Sequence, residues 1–418
     1  MKRTILRAAI LLPVCILIGY LLLTAVYLIP ESQMHDHLTA SYGQIASEET
    51  YRPDTFSGRL LDNFSDALIM LECGYTGTES PLVKAANSPF YKVNGQDPHT
   101  SVAQIGEAAP EDLTLDNYSR FWHGYQVILR PLLLIFNYQQ IRVLNTVVLF
   151  SLLALILFFM TKTAPVCILP FILSVLFLAP TAVGQNIHFS GAVYVSLLTV
   201  LLILWNPKNL RSQGKLELLF LCAGIAVPFL DLITAPTVAL TLPLVLLCFV
   251  DRQEPHPFRR IIRCALFWAI GYALMWFGKW LIAYIVNGSS FLDSLINQMK
   301  FRSGSDTGFS LAGRFEPLIL NIRHLGNTRW LNLVVLAYLL ACAVFFFVNN
   351  RKDLGPAVKS VPKTVLPFLL VALIPVVWTL LLSNHSQIHV FFTYRTLVPC
   401  VFAALCACTR LARPESPA

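Results

Sequence analysis

Stretches of about twenty consecutive apolar residues recur from one end of this chain to the other, each long enough to cross a hydrocarbon core as a helix. No window alternates apolar and polar residues with period two, so the spans read as helices and not as barrel strands. A mean hydropathy of +0.63, with 13% charged residues in 418, rules out a soluble enzyme. The net charge of +8 is a topology signal and does not point to nucleic acid.

The runs 8–29, 143–160, 166–183, 191–205, 216–232, 237–250, 264–286, 331–348, 365–382 and 390–411 predict about ten transmembrane helices. Lys2, Arg3 and Arg7 precede the first, which is too long for a cleavable signal peptide and lacks a clear small-residue cleavage site. Basic residues then mark every second connection: Lys162; Lys208, Arg211 and Lys215; Arg252, Arg259, Arg260 and Arg263; Arg351, Lys352, Lys359 and Lys363; Arg410 and Arg413. Both termini are therefore expected in the cytoplasm, with most carboxylates outside. The expected fold is an all-α polytopic membrane protein in three parts. Residues 1–30 are a first transmembrane helix, 31–140 a long extracytoplasmic loop with amphipathic juxtamembrane helices, and 141–418 a multi-helix transmembrane domain. Only Cys73 of the ten cysteines lies in that loop, so no disulfide framework is expected.

A water-facing segment this long is rarely a passive connection. It carries GRLLDNFSDALIMLECGY, Gly58 to Tyr75. At helical spacing Leu60, Leu61, Phe64, Ala67, Leu68 and Leu71 share one arc, while Asp62 and Asp66 project together from the other side. That pattern predicts a helix lying on the bilayer or on other helices, its two acids forming a catalytic centre or simply a solvated face. The following SRFWHGYQVILRPLLLIFNYQQIR predicts an interfacial or re-entrant helix broken at Arg130-Pro131. A second outer loop, 287–330, holds an amphipathic piece around Phe291 to Phe301 and then a Gly/Ser-rich turn.

Ionisable groups at membrane depth cost roughly 2.5–3.5 kcal/mol each on insertion, so they face a cavity or a partner by default. Asp231, Lys279, Arg395 and Arg130 are the candidates, and His188, His385 and His389 fall near the same outer face. Trp276 and Trp280 could instead stack on the Lys279 stem while its amine snorkels. Trp122, His123 and Tyr125 read either as ligand contacts or as an interfacial aromatic belt. His385 and His389, four residues apart beside Arg395, suit an anionic phosphate or a helix cap. No Walker motif, G-x-S-x-G elbow or H-E-x-x-H is present.

The layout resembles the GT-C superfamily of membrane glycosyltransferases: one span, a long first outer loop with acids on a juxtamembrane helix, then many spans with short inner loops. RFWHGYQVILRPLL, FLDLITAP and NHSQIHVFFTYR also look like segments of a polytopic membrane protein family of Gram-positive bacteria. The resemblance implies sugar transfer from a polyprenyl-phosphate donor to an acceptor on the extracytoplasmic face. An acid of the first loop, Asp62 or Asp66, would act as base, and Arg395, His389 and Lys279 would neutralise the lipid phosphate. The D-x-x-x-D spacing departs from the adjacent acids of that superfamily. It leaves open which aspartate acts and whether a divalent cation is used. A transporter for a lipid-linked saccharide would use the same cations without a base, and a membrane acyltransferase would depend on His123 or His385.

Overall fold

The computed structural model describes residues 2–210, 214–251, 254–305, 310 and 312–413, the side chains of 208 and 209 excepted. The expected inner-loop cations Arg211 and Arg252, the Lys208 side chain, and residues 306–309 of the Gly/Ser-rich turn lie outside the described residues.

Helix α1 (Lys2–Val26) is followed by a segment containing α2 (His35–Ala46), α3 (Asn63–Cys73), α4 (Pro81–Asn87), β1 (Pro89–Val93), α5 (Pro98–Gln104) and β2 (Leu113–Asn117). The short α6 (Gln126–Leu133) leads into α7 (Tyr138–Thr163), and α8 (Ile168–Phe177), α9 (Pro180–Gly184), α10 (Ile187–Trp205) and α11 (Pro207–Leu210) follow. Next come α12 (Lys215–Leu230), α13 (Val238–Val250), α14 (Pro257–Asn287), α15 (Ser289–Ser303), α16 (Phe315–Leu325) and α17 (Arg329–Asn349). The chain closes with α18 (Leu354–Leu381), α19 (Ser383–Ile388), α20 (Val390–Thr393) and α21 (Val398–Ala412), the last two joined by a 3₁₀ turn at Tyr394–Leu397.

Among the described residues seven stretches are long and apolar enough to cross a membrane: α1, α7, α10, α14, α17, α18 and Val390–Ala412. The other three expected spans are shorter helices. Residues 166–183 break at Ala179, which precedes Pro180 and holds φ at +56°. The 216–232 and 237–250 runs become the 16-residue α12 and the 13-residue α13. Large apolar side chains remain on outward faces, such as Leu17 at 58% exposure and Leu333 at 67%. Lipid stabilises such a surface and water does not. Inside, α7, α8, α10, α12, α13, α18 and α21 share the main apolar core. A Cβ on Gly224 of α12 would overlap the Trp268 carbonyl of α14, and one on Gly271 would crowd that of Leu221. The two backbones therefore touch, the close approach that small residues allow in membranes.

The first large segment sharpens two expectations: α3 lies on other helices and not on the bilayer, and a short hairpin interrupts an otherwise helical fold. Helix α3 is not a surface helix: Asp66, Ala67, Ile69, Met70, Leu71, Glu72 and Cys73 are all buried, leaving Phe64, Ser65 and Leu68 only partly open. Helices α2 and α5 and strand β1 pack around it, and the start of α10 covers its carboxylate side. The segment also contains a β-hairpin, with Phe90 opposite Asp116 and Lys92 opposite Thr114. Five-residue strands are too short for periodicity to reveal. Ser119 to Tyr125 is irregular, Pro131 lies within α6, and an Asn137–Gln140 capping box starts α7.

Candidate active site

Asp66 belongs to the scaffold. Its Oδ2 accepts from the Ile187 amide at 3.0 Å and from the Tyr138 hydroxyl, and its Oδ1 accepts from the His188 amide at 2.9 Å. These amides are the first two of α10, whose N-cap residue Asn186 offers them no side-chain bond. Asp66 therefore caps α10 from another element, placing negative charge at the positive end of the helix. Burial still lifts its carboxyl to about 6, against the pull of Tyr138, Arg142 and the two amides.

Asp62 is the less committed acid. It is the N-cap of α3: Oδ1 accepts from the Ser65 amide at 3.0 Å and Oδ2 from the Ser65 hydroxyl at 2.7 Å. Both donors are local, and burial lifts this carboxyl to about 6 as well. The open side of Oδ2 faces His188 Nε2 at 3.6 Å, beyond hydrogen-bonding distance. Neither ring nitrogen of the buried His188 has a hydrogen-bond partner. Phe392 meets this ring edge-on, with centroids 5.3 Å apart.

Two arginines also lie close to the His188 ring. The Arg395 guanidinium lies 4.2 Å over the Phe189 ring, and its Nε donates to the Leu178 carbonyl at 2.9 Å. Its Nη1 and Nη2 are buried without a hydrogen-bond partner, as is the Tyr394 hydroxyl. His385 donates through Nε2 to the Ile233 carbonyl at 2.9 Å, so its Nδ1 accepts from Arg302 Nη1 at 2.7 Å. His389 stacks on Phe392 and is held at about 4 by burial and by Arg302. It is a neutral hydrogen-bonding group near pH 7 rather than the expected cation. Arg302 also borders an aromatic cavity of about 430 Å³ between α14, α15 and α18, lined by Tyr272, Trp276, Trp280 and Trp378.

The remaining expected site residues are occupied elsewhere. Arg130 donates to the carbonyls of Val26 at 3.0 Å, Ile29 at 2.8 Å and Cys73 at 2.6 Å, tying α1 to α3. Lys279 donates to Ala85 and Ala86 at the end of α4, with Trp122 beneath it and the Trp122 indole bonded to Met275 O. Asp231 accepts from the Thr234 amide and hydroxyl, closing a turn that holds Ile233 at φ +65°. His123 and Tyr125 converge on Glu72, with His123 Nδ1 3.0 Å and the Tyr125 hydroxyl 2.8 Å from its carboxylate oxygens. Glu72 was not among the sequence candidates, although an acid inside ALIMLEC was itself the signal. Arg142 was also missed. It bridges Glu48 at 2.7 Å and Asn63 at 2.8 Å, and holds the Glu48 carboxyl at about 2 despite burial. Among the described residues no group of three His, Cys, Asp or Glu is placed to bind a metal ion.

The structure thus brings together Asp62, His188, His385, His389 and Arg395, and engages Lys279, Arg130 and the His123 group with other partners. No protein-family profile, curated protein or solved structure matches this chain.

Proposed function

We propose that this protein is a GT-C-like glycosyltransferase of about ten spans with both termini in the cytoplasm. It moves a sugar from a polyprenyl-phosphate donor to an acceptor on the extracytoplasmic face. Asp62 is the base, taking the proton of the acceptor hydroxyl. The unpaired Nη groups of Arg395 receive the phosphate, whose negative charge grows as the sugar leaves. The aromatic cavity beside Arg302 takes the polyprenyl chain. The observation that carries this reading is a buried carboxylate held only by local donors, facing the unbonded His188 ring, which in turn lies in the field of a buried guanidinium with two unbonded Nη groups. A fold leaves such groups open at a cost unless a ligand completes them.

The two aspartates separate the roles. In Asp62→Asn the side-chain oxygen still caps α3 and the new amide can donate to Ser65, so the fold is kept while proton acceptance is lost. Transfer of labelled sugar by the purified variant should fall roughly 10²–10⁴-fold with donor binding retained. Asp66→Asn instead turns an amide toward an amide of α10, which should destabilise by about 1–3 kcal/mol. Its activity should then follow its folded fraction. Wild-type turnover in Asp62→Asn would end the enzyme reading and favour a lipid-linked saccharide transporter.

A further inference from the structure

Buried imidazoles normally satisfy both ring nitrogens. His385 does so with Ile233 and Arg302, and His123 with Tyr118 and the Tyr125–Glu72 pair. His188 does not. Yet its backbone is anchored, because the buried Asp66 carboxylate accepts its amide and that of Ile187. The fold thus fixes where this ring sits and leaves its nitrogens free, with Nε2 pointing at the open side of Asp62.

We infer that His188 is the relay residue of Asp62, receiving the proton that Asp62 removes from the acceptor. This rests on the glycosyl-transfer reading. As the acceptor oxygen bonds to the anomeric carbon, the bond from that carbon to the donor phosphate breaks and its electron pair leaves with the phosphate. The acceptor proton moves to Asp62 Oδ2 and then to His188 Nε2. Asp62 is again a carboxylate, and the imidazolium balances the charge gained by the phosphate. The 3.6 Å gap closes to hydrogen-bonding distance with a shift of under about 1 Å, the tightening expected when substrate enters. Among the described residues, the charged and titratable groups facing the pair are Tyr51 before α3, Arg302 of α15, His385 of α19, His389 between α19 and α20, and Arg395. The two guanidiniums repel an imidazolium, so the relay operates with the donor phosphate in place to neutralise them, and Asp66, the acid beside the His188 amide, is already taken up by two α10 amides and Tyr138.

The test uses the full-length protein in lipid nanodiscs, with labelled polyprenyl-phosphate glucose and mannose as donors and host membranes as acceptor. Wild type, Asp62→Asn, His188→Phe and the double variant are compared after a single cooperative melting transition and unchanged helicity confirm the fold of each; phenylalanine keeps the ring packing against Phe392. His188→Phe should lower kcat about 10–10²-fold with donor KM within about twofold. The double variant should be no slower than Asp62→Asn, because the two side chains act as one unit. Losses that multiply in the double variant would overturn the relay. A second measurement needs no substrate: infrared titration of the Asp62 carboxyl. Its midpoint should rise by at least about 0.5 pH unit in His188→Phe, since an apolar ring then replaces the polar imidazole at the open side of the carboxylate. An unmoved midpoint overturns the pairing. Coupled titration in a wild type inert toward both donors would remove the glycosyl-transfer reading and keep the pair.

Discussion

At the residue scale, burial decides which ionisable groups remain available for chemistry. A carboxyl raised from 3.8 to about 6 holds its charge at a cost of roughly 3 kcal/mol relative to water. Because the folded Asp62 binds its proton more tightly than the unfolded one, this acid favours the folded state at low pH. That contribution is lost as pH rises from about 4 through about 6. Activity that needs the carboxylate should rise through the same upper limit, so stability and turnover should move in opposite directions near pH 6. Thermal denaturation from pH 4 to 8 should show a shallower decline in Asp62→Asn than in wild type. An equal decline would mean that Asp62 is ionised without strain. Arg395 is tested in the same way. Arg395→Ala should raise the donor KM at least about tenfold, and Arg395→Lys should restore only part of it, because a single ammonium cannot replace two parallel Nη donors. Unchanged binding of a polyprenyl-phosphate donor to Arg395→Ala would place the phosphate elsewhere.

Elements here are held by side chains that reach across the chain to the ends of other helices. Asp66 caps α10, Lys279 meets the end of α4, and Arg130 gathers the carbonyls at the ends of α1 and α3. Removing the Arg130 guanidinium leaves three carbonyls without a partner. Arg130→Met should therefore destabilise by about 2–4 kcal/mol and lower the yield of folded protein. The molecules that do fold should retain the wild-type donor KM. A raised KM in a fully stable Arg130→Met would return Arg130 to the binding site.

For the whole molecule, the pattern of outward apolar faces and inner core follows from a bilayer as solvent, and the inside–outside assignment rests on the basic loops. Cysteine labelling tests that assignment, but Cys73 is buried and would not report. Phe56, 83% exposed, is the better position in the first segment. A cysteine there should be labelled in intact cells, and one at the exposed Lys352 only after permeabilisation. The reverse pattern would place the Asp62 site in the cytoplasm.

The sequence by itself determined that the chain is helical and repeatedly apolar, because hydrophobic runs and the obligation to satisfy backbone groups in lipid are local properties. It also pointed to most of the buried ionisable residues, since charge in an apolar run stands out wherever it occurs. It could not rank them. Asp62 and Asp66 are four residues apart and look equivalent, yet α10 takes up one and leaves the other facing His188. Lys279, Arg130 and Arg395 look like three equal cations, yet backbone carbonyls more than fifty residues away in sequence complete two of them. Which polar group is satisfied depends on distant partners, and those partners meet only when the whole chain has packed.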